Sequence, residues 1–206
     1  RKARSLAQLC ESTIEEEIKN KNFSLSDLLD FSYTEIKDQK IKSLSRLFNI
    51  SKVPSEGFTP KKYHTKYDSF IDQKLQTITD NFINTNSEFI FAIVVDLNAY
   101  APIHNSKYCK EWTGNPANDL IGNRIKRLFN DNLTILKNAR VGLTNIDITL
   151  PFLITSQSQL RDLGCETKKT ASNKNKYLIQ TYLRDTGEVA TNLSVPLFIQ
   201  GERYGF

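Results

Sequence analysis

The spacing of apolar residues in the first part of the chain predicts helices. In residues 6–18 apolar side chains recur near every third or fourth position, the period of a helix with one buried face. Ser24 and Ser26 are both N-cap candidates for a short second helix. The helical period returns from Pro60 to Phe82, with proline at the first helical position, where it is tolerated. We therefore expect three helices here, the third longer than the second.

After residue 85 the pattern becomes typical of strands. Residues 88–96 form an apolar run rich in β-branched and aromatic side chains, which predicts a strand buried on both faces. A turn at 97–99 leads into a short strand at 100–104 and closes a hairpin. Apolar residues at helical spacing then predict a helix over 118–130. The hairpin and the helix together indicate a mixed fold.

The last thirty residues carry the clearest strand pattern. Strands are predicted at 177–184, 188–199 and from 203 to the last residue, with turn residues between them. Odd and even positions of 188–199 point to opposite faces, so one side of the meander is expected to meet the helices. The polar, lysine-rich tract before the meander is predicted to be an exposed loop.

Five strands in this order are typical of a PAS-like or Cache-like sensor domain. The predicted fold class is therefore α+β, a five-stranded antiparallel sheet with an N-terminal helical region packed on one face. We expect one domain over 1–206, with a helical region at 1–85, a sheet core at 86–206 and an insertion at about 141–176. In such a fold the ligand lies between the sheet and the helices.

Composition and charge narrow the class of protein. The chain has 28 basic and 23 acidic residues, a net charge of +5 and 39% hydrophobic residues, which fits a globular domain. The basic excess is spread along the chain, so the multi-phosphate footprint of nucleic-acid binding is missing. The sequence has no P-loop, Rossmann glycine pattern or HExxH motif, and no recognisable catalytic triad signature. We expect a non-enzymatic protein that does not bind nucleic acid.

Cysteine usage and hydropathy bear on location. Cys10, Cys109 and Cys165 are an odd number without a CxxC pair, which favours reduced thiols over a disulfide framework or a cysteine-type zinc site. No apolar run approaches the ~20 residues of a membrane span. The chain begins without methionine or a signal sequence, so an excised piece of a longer protein is expected. The expected location of this segment is cytoplasmic, and a membrane anchor elsewhere in the full-length protein stays open.

Four blocks of sequence resemble a sensor module attached to bacterial methyl-accepting chemotaxis proteins. The first two, at 95–105 and 123–131, are similar to D-x-N-G-Y-x-P-T-H-N and N-R-x-K-R-I-F-x-D. The others, at 178–189 and 192–197, are similar to Q-T-Y-x-R-D-T-G-E-V and D-L-S-V-P-I. With the upstream helical segments, the resemblance covers most of the chain in order. It implies a ligand-sensing role and names no ligand.

The chain departs from the motifs of that module at several positions. Ala99 stands where the family usually has glycine, and Ile103 where it often has threonine. Extra material appears at about 36–52, with weak helical spacing at 41–48, and at 141–176. These insertions are expected to reshape a pocket or add a partner surface.

The candidate ligand-binding residues carry hydrogen-bond donors and lie inside or beside these blocks. Arg124 and Arg127 are predicted on one face of a helix, where they are suited to binding a carboxylate or phosphate. The alternative is that this helix face is solvated. His104 is a candidate hydrogen-bond donor to a ligand. The alternative is that it satisfies backbone groups at a strand end. Tyr182 and Arg184 are predicted to share a strand face with Gln180, and that face either lines a pocket or faces water. The set is Tyr100, His104, Arg124, Arg127, Tyr182 and Arg184.

The sequence as a whole predicts a non-catalytic ligand-sensing domain of a chemotaxis-receptor-like signalling protein. Its expected ligand is a small polar or anionic molecule, and its cofactor content is unknown. The expected partners are a signalling output domain in the same full-length chain and a second copy, through the N-terminal helix. Two alternatives stay open: a protein-interaction module without a small ligand, and a haem or metal redox sensor using His104.

Overall fold

The structure is a computed structural model that describes residues 1–37, 49, 51, 56–143, 153–184 and 187–206. The predictions for 41–48 and for the turn at 185–186 lie outside the described residues, as do 144–152 of the predicted insertion. The helices in the described part are α1 (Lys2–Lys19), α2 (Leu25–Leu29), α3 (Asp68–Thr85), α4 (Pro116–Gly122), α5 (Leu133–Ala139) and α6 (Gln157–Asp162). The strands there are β1 (Thr34–Glu35), β2 (Tyr63–His64), β3 (Ile93–Val94), β4 (Tyr100–Ala101), β5 (Ile103–His104), β6 (Arg127–Leu128), β7 (Leu178–Leu183), β8 (Val189–Ser194), β9 (Leu197–Ile199) and β10 (Glu202–Gly205).

The chain folds into two compact units. Unit 1 comprises Arg1–Ser32, Val95–Tyr100 and Phe129–Phe206, and unit 2 comprises Tyr33–Val94 and Ala101–Leu128. The expectation of a single domain stays a prediction. Each unit has its own buried apolar residues, among them Cys10, Ile14, Val95, Leu97, Ile199 and Tyr204 in unit 1 and Ile71, Leu75, Val94, Ile103 and Ile125 in unit 2.

The predicted five-stranded sheet is wrong. Every sheet that the described residues form has two strands, in the pairs β1–β2, β3–β5, β4–β6, β7–β8 and β9–β10. The mixture of helices and strands fits the α+β class only in this loose sense. A ligand site between a five-stranded sheet and a helical layer is therefore excluded.

The predicted meander is interrupted between β8 and β9. Pro196 lies at the break, and it has no N–H to donate to a neighbouring strand. Beyond it, the backbone N–H of Phe198 donates to Glu11 of α1 at 2.8 Å and that of Gln200 donates to Glu15 at 2.7 Å. Because two carboxylates occupy this edge of β9, a further strand cannot pair there.

The first two helices match the sequence expectations. α1 extends one turn further at its N-terminus than the 6–18 pattern predicts. Ser24 caps α2 in a capping box, in which its hydroxyl accepts from the Asp27 amide at 3.0 Å and its own amide donates to the Asp27 carboxylate at 2.9 Å. The first of the two N-cap candidates is therefore the cap.

The third helix begins eight residues later than predicted. Residues of β2 pair with β1, so the segment after Pro60 is extended before it becomes helical. The Thr65 and Asp68 side chains then each accept from the other residue's amide, at 3.2 and 3.1 Å, and set the start of α3. This reciprocal pair is a stronger start signal than the proline.

A tight turn follows Asp96, as the sequence predicts. The Asp96 carboxylate accepts from the amides of Asn98 at 2.8 Å and Tyr100 at 2.9 Å. Ala99 in this turn has a φ of 61°. This left-handed conformation costs a residue with a Cβ about 1 kcal/mol.

Replacing Ala99 with glycine is expected to stabilise unit 1 by up to about 1 kcal/mol, because it relieves the left-handed strain, although extra freedom in the unfolded chain offsets part of the gain. Hydrogen exchange of the amides at 95–100, followed by mass spectrometry, measures the change. Ala139→Gly in α5 is the control with the same chemical change, and it should destabilise. Faster exchange at 95–100 in Ala99→Gly would contradict the strain argument.

Candidate functional site

The structure divides the six predicted ligand residues between the two units. Tyr100, Tyr182 and Arg184 belong to unit 1, and the other three belong to unit 2. In unit 1, Tyr100 is fully buried after the Asp96 turn, and Tyr182 is half-buried in β7. Arg184 pairs with Glu188 across the hairpin end, 2.9 Å between Nη1 and Oε2. These placements do not gather the three side chains around a described pocket, and their ligand role stays a prediction.

His104 lies in a closed aromatic environment at the end of β5. Its ring centroid is 4.7 Å from that of Tyr108 and 5.9 Å from that of Phe91, and the residue is 4% exposed. Nδ1 is 2.8 Å from the Asn105 side-chain oxygen, and the His104 carbonyl accepts from Gln76. This is the arrangement expected of the alternative interpretation, a histidine that satisfies groups at a strand end.

The two candidate arginines are not on one helix, so that part of the prediction is wrong. α4 ends at Gly122, and Arg127 lies in β6. The Arg124 amide donates to the Tyr108 carbonyl and its guanidinium stacks over the Tyr108 ring at 5.8 Å. After Gly122 the chain bonds to the 109–110 segment instead of continuing the helix: the Lys110 amide donates to the Gly122 carbonyl at 2.8 Å and the Asn123 side chain donates to the Lys110 carbonyl at 2.7 Å.

Unit 2 instead contains a buried ion cluster that the sequence does not reveal. The Lys126 ammonium lies 2.8 Å from Asp72 and 3.2 Å from Asp68, and all three side chains are at most 4% exposed. The two carboxylates are one helical turn apart on α3, so they face the same way. A buried ammonium shared by two carboxylates fastens α3 to the segment before β6, which is a structural role.

Lys62 is a second buried lysine of unit 2. Its ammonium donates to the carbonyls of Ile125 at 2.5 Å and Asn123 at 3.3 Å, and lies 5.6 Å from the ring centroids of both Phe58 and Trp112. Complete burial holds the pKa of Lys62 well below its ordinary value, and the positive charge of nearby Arg127 lowers it further. Two carbonyl oxygens and two aromatic rings therefore surround the Lys62 amine.

The cysteines are poor nucleophiles where the structure places them. Burial raises the pKa of Cys10 to about 12, with a smaller contribution from Glu11. Burial also raises the pKa of Cys109 and that of Cys165. Because the thiolate is the reactive form, these thiols are inert near neutral pH.

A cleft in unit 1 is a concave site that the described residues form. It has a volume of about 260 Å³ and lies between the first turns of α1, the lysine-rich tract and the start of β9. Three of its lining side chains are basic, one is acidic, and the rest are amides or apolar groups. They are Arg4, Ala7, Gln8, Glu11, Lys169, Lys174, Asn175, Pro196 and Phe198.

The lysine-rich tract is held in a defined turn that presents its two cleft lysines. Buried Asn173 accepts from the Thr170 amide at 2.8 Å and donates to the Lys168 carbonyl at 2.8 Å. The Lys169 amide donates to the Gly201 carbonyl at 2.7 Å, which fixes the tract to the β9–β10 turn. The Arg4 guanidinium donates to the carbonyl of Lys174 from the α1 side. The tract is exposed, as predicted, but it is ordered by these bonds.

Positive charges outnumber negative charges in the cleft. Lys169 stacks its ammonium over the Phe198 ring at 5.9 Å, and in the described part of the chain neither Lys169 nor Lys174 forms an ion pair. The Glu11 carboxylate accepts a hydrogen bond from the Phe198 amide. Desolvation raises the pKa of Glu11, although the Phe198 amide and the charges of Lys169 and Arg4 act in the opposite direction. With three basic side chains and one carboxylate, the cleft carries a net positive charge.

Sequence reasoning missed this cleft because its parts are far apart in the chain. Arg4, Lys169 and Phe198 come from three separate segments. The only local signal was the density of lysines between 168 and 176, and that pattern equally predicts a solvated loop.

Among the described residues, no group of three or more His, Cys, Asp or Glu side chains is placed to hold a metal ion. In the same residues, no helix has both the length and the apolar character that crossing a membrane requires.

Comparison of the chain with protein-family models, with curated proteins and with solved structures gives no match.

Proposed function

We propose that this chain is a non-catalytic ligand-sensing domain that binds a small organic anion in the cleft beside α1. The observation that carries the proposal is the convergence of Arg4, Lys169 and Lys174 on one concave site. Three basic side chains on one concave surface create a positive potential, which favours the binding of an anion. The one carboxylate of the cleft, Glu11, offsets only part of this charge, so a bound anion would neutralise the remainder.

The size and lining of the cleft indicate the kind of anion. Drug-sized ligands occupy sites of roughly 300–1,000 Å³, so a cleft of about 260 Å³ suits a smaller metabolite. Phe198, Pro196 and Ala7 supply apolar surface for a carbon skeleton, and Gln8 and Asn175 supply amide groups. A compact di- or tricarboxylate meets both requirements better than a bare inorganic ion.

The position of the cleft supports a sensing role for binding. Its walls come from α1 on one side and from the lysine-rich tract and β9 on the other, so a ligand there contacts both. α1 is otherwise attached to β9 through the two carboxylate–amide bonds of Glu11 and Glu15. A ligand that prefers the docked arrangement of α1 shifts its population in proportion to that preference. Membership of a chemotaxis receptor rests on the four sequence blocks alone.

Calorimetric titration with citrate tests the anion site. We expect citrate to bind the wild-type chain, and the double substitution Lys169→Ala and Lys174→Ala to weaken binding about tenfold or more, because two charge-assisted contacts are lost. The matched control is Lys168→Ala with Lys176→Ala, which removes the same charge from exposed lysines of the same tract outside the cleft lining. The control should change affinity much less.

Two results would overturn this proposal. One is the absence of binding by millimolar citrate, malate and phosphate to the wild-type chain. The other is an equal loss of affinity in both double variants, which would show that only the net charge of the chain attracts the anion.

A further inference from the structure

One wall of the cleft is a single stripe along α1. The stripe consists of Arg4, Ala7, Gln8 and Glu11, whose spacing places them on one face of the helix. Arg4 and Glu11 are its two ends, and at a rise of about 1.5 Å per residue their backbones lie about 10 Å apart. The α1 wall therefore has a positive group at one end and a negative group at the other.

The lysines of the opposite wall are divided between these two ends. The Arg4 guanidinium donates to the Lys174 carbonyl, so Lys174 lies beside the Arg4 end. The Phe198 amide donates to the Glu11 carboxylate at 2.8 Å, and the Lys169 ammonium is 5.9 Å from the centroid of the Phe198 ring. Lys169 therefore lies beside the Glu11 end. One end of the cleft has two cations, and the other has one cation and one carboxylate.

The Glu11 carboxylate has an oxygen that a ligand can use. Its Oε1 accepts from the Phe198 amide, and in the described part of the chain its Oε2 accepts no hydrogen bond. Desolvation is the largest influence on this group, and it raises the pKa of Glu11. A partly desolvated carboxylate oxygen is stabilised by a hydrogen-bond donor, so a ligand that brings a donor to this end gains affinity.

We propose that the ligand of the cleft is an α-hydroxy di- or tricarboxylate whose hydroxyl donates to Glu11. This class is narrower than the small organic anions proposed above, and it depends on the cleft being an anion site. The hydroxyl of an α-hydroxy acid is on the carbon that carries a carboxylate, so the two groups can reach Glu11 and Lys169 at the same end. The other carboxylate of the ligand then faces the long, flexible side chains of Arg4 and Lys174.

Charge favours a hydroxyl over an ammonium group as the donor. The cleft has three basic side chains and one carboxylate, so a dianion balances its charge. Malate is a dianion near neutral pH, whereas aspartate, which has an ammonium in place of the hydroxyl, is a monoanion. The ammonium of aspartate would also lie close to Lys169, and like charges repel. Glu11 therefore selects a neutral donor within an otherwise anionic ligand.

Calorimetric titration of the wild-type chain with matched ligands tests the hydroxyl without any substitution. Citrate and tricarballylate share the same three carboxylates, and only citrate has a hydroxyl. We expect citrate to bind about tenfold or more tightly than tricarballylate, because a hydrogen bond to a charged acceptor is lost in the second ligand. L-malate should likewise bind more tightly than L-aspartate.

The substitution Glu11→Gln tests whether this residue provides the preference. The glutamine carbonyl oxygen can still accept from the Phe198 amide, while its amide nitrogen replaces the oxygen that accepts from the hydroxyl. Loss of a negative charge strengthens the binding of both anions, so the readout is the ratio of their dissociation constants. We expect the preference for citrate over tricarballylate to fall to about onefold.

Glu15→Gln is the matched control. Glu15 is on the same helix and accepts from the Gln200 amide of the same strand edge at 2.7 Å, but it does not line the cleft. This variant should keep the wild-type preference.

The outcomes separate the hydroxyl from the anion site itself. Equal affinity of the wild type for citrate and tricarballylate overturns the role of the hydroxyl and leaves the anion site in place. Failure of both ligands to bind overturns both proposals. Tighter binding of L-aspartate than of L-malate, or an equal loss of preference in Glu11→Gln and Glu15→Gln, overturns the assignment of Glu11 as the acceptor.

Discussion

Replacing Lys126 with methionine is expected to destabilise unit 2 by about 3–5 kcal/mol, because it leaves two buried carboxylates without their shared ammonium. The Asp68 and Asp72 side chains are almost fully buried and lie 3.2 and 2.8 Å from Lys126. Urea unfolding followed by the fluorescence of Trp112 measures this change, because the one tryptophan of the chain is buried in unit 2.

The control compares a buried ion pair with an exposed one in the same unit. The Lys61 side chain is 63% exposed and lies 3.5 Å from Glu35, so Lys61→Met should cost less than about 1 kcal/mol. Adding Asp72→Asn to Lys126→Met should recover part of the loss, since it removes one of the uncompensated charges. Equal destabilisation by Lys126→Met and Lys61→Met would show that the buried cluster does not hold unit 2 together.

Replacing Arg203 with methionine is expected to destabilise unit 1 by about 2–4 kcal/mol. The fully buried guanidinium donates to the carbonyls of Ala139 at 3.0 Å, Gly205 at 2.9 Å and Val141. Burial lowers the pKa of Arg203 to about 9, which shows that the charge itself is costly there. The bonds nevertheless outweigh that cost in a truncation, because three buried carbonyls would lose their donor at about 1–3 kcal/mol each.

Hydrogen exchange localises the effect of Arg203. Amides of α5 and β10 should exchange faster in Arg203→Met, since the guanidinium joins the end of α5 to β10. Arg161 in α6 is exposed, and within the described part of the chain its side chain donates only to the Ser158 hydroxyl at 3.4 Å, so Arg161→Met should leave the same amides unchanged. Unchanged protection in Arg203→Met would mean that the three carbonyls find other donors.

Local features of this fold could be predicted from the sequence because their physics is local. Ser24 and Asp27 are three residues apart and complete a capping box by themselves. Asp96 reaches the amides of its own turn, so its role followed from turn chemistry. The pairing of β3 with β5 was also predictable, because a short connection joins them.

Features that depend on distant residues were not predictable. The sheet ends at β9 because Glu11 and Glu15, more than 180 residues away in the chain, occupy its edge. The alternation of side chains along residues 188–199 gives no sign that two distant carboxylates bond to the strand edge. The α4 boundary was missed for a similar reason, since apolar residues after Gly122 keep a helical spacing although the backbone there forms a turn at 125–126 and then strand β6.

The candidate site depends even more on residues that are far apart in the chain, so it was less predictable than the fold. Motif reasoning selected residues inside the family blocks, such as His104, whose ring the structure encloses between aromatic neighbours. The cleft instead takes its charges from Arg4 and the lysine-rich tract, outside those blocks. Charge convergence is a property of the folded chain, and a net charge of +5 spread along the sequence does not disclose it.

The measurement that tests the anion site most directly is amide chemical-shift mapping of the isotope-labelled chain during titration with citrate. We expect the largest shifts on residues 4–11 of α1, on 169–175 and on Phe198, and we expect them to saturate together with one dissociation constant. Shifts centred on Arg124, Arg127 or His104 in unit 2, or no saturable shifts at all, would contradict it.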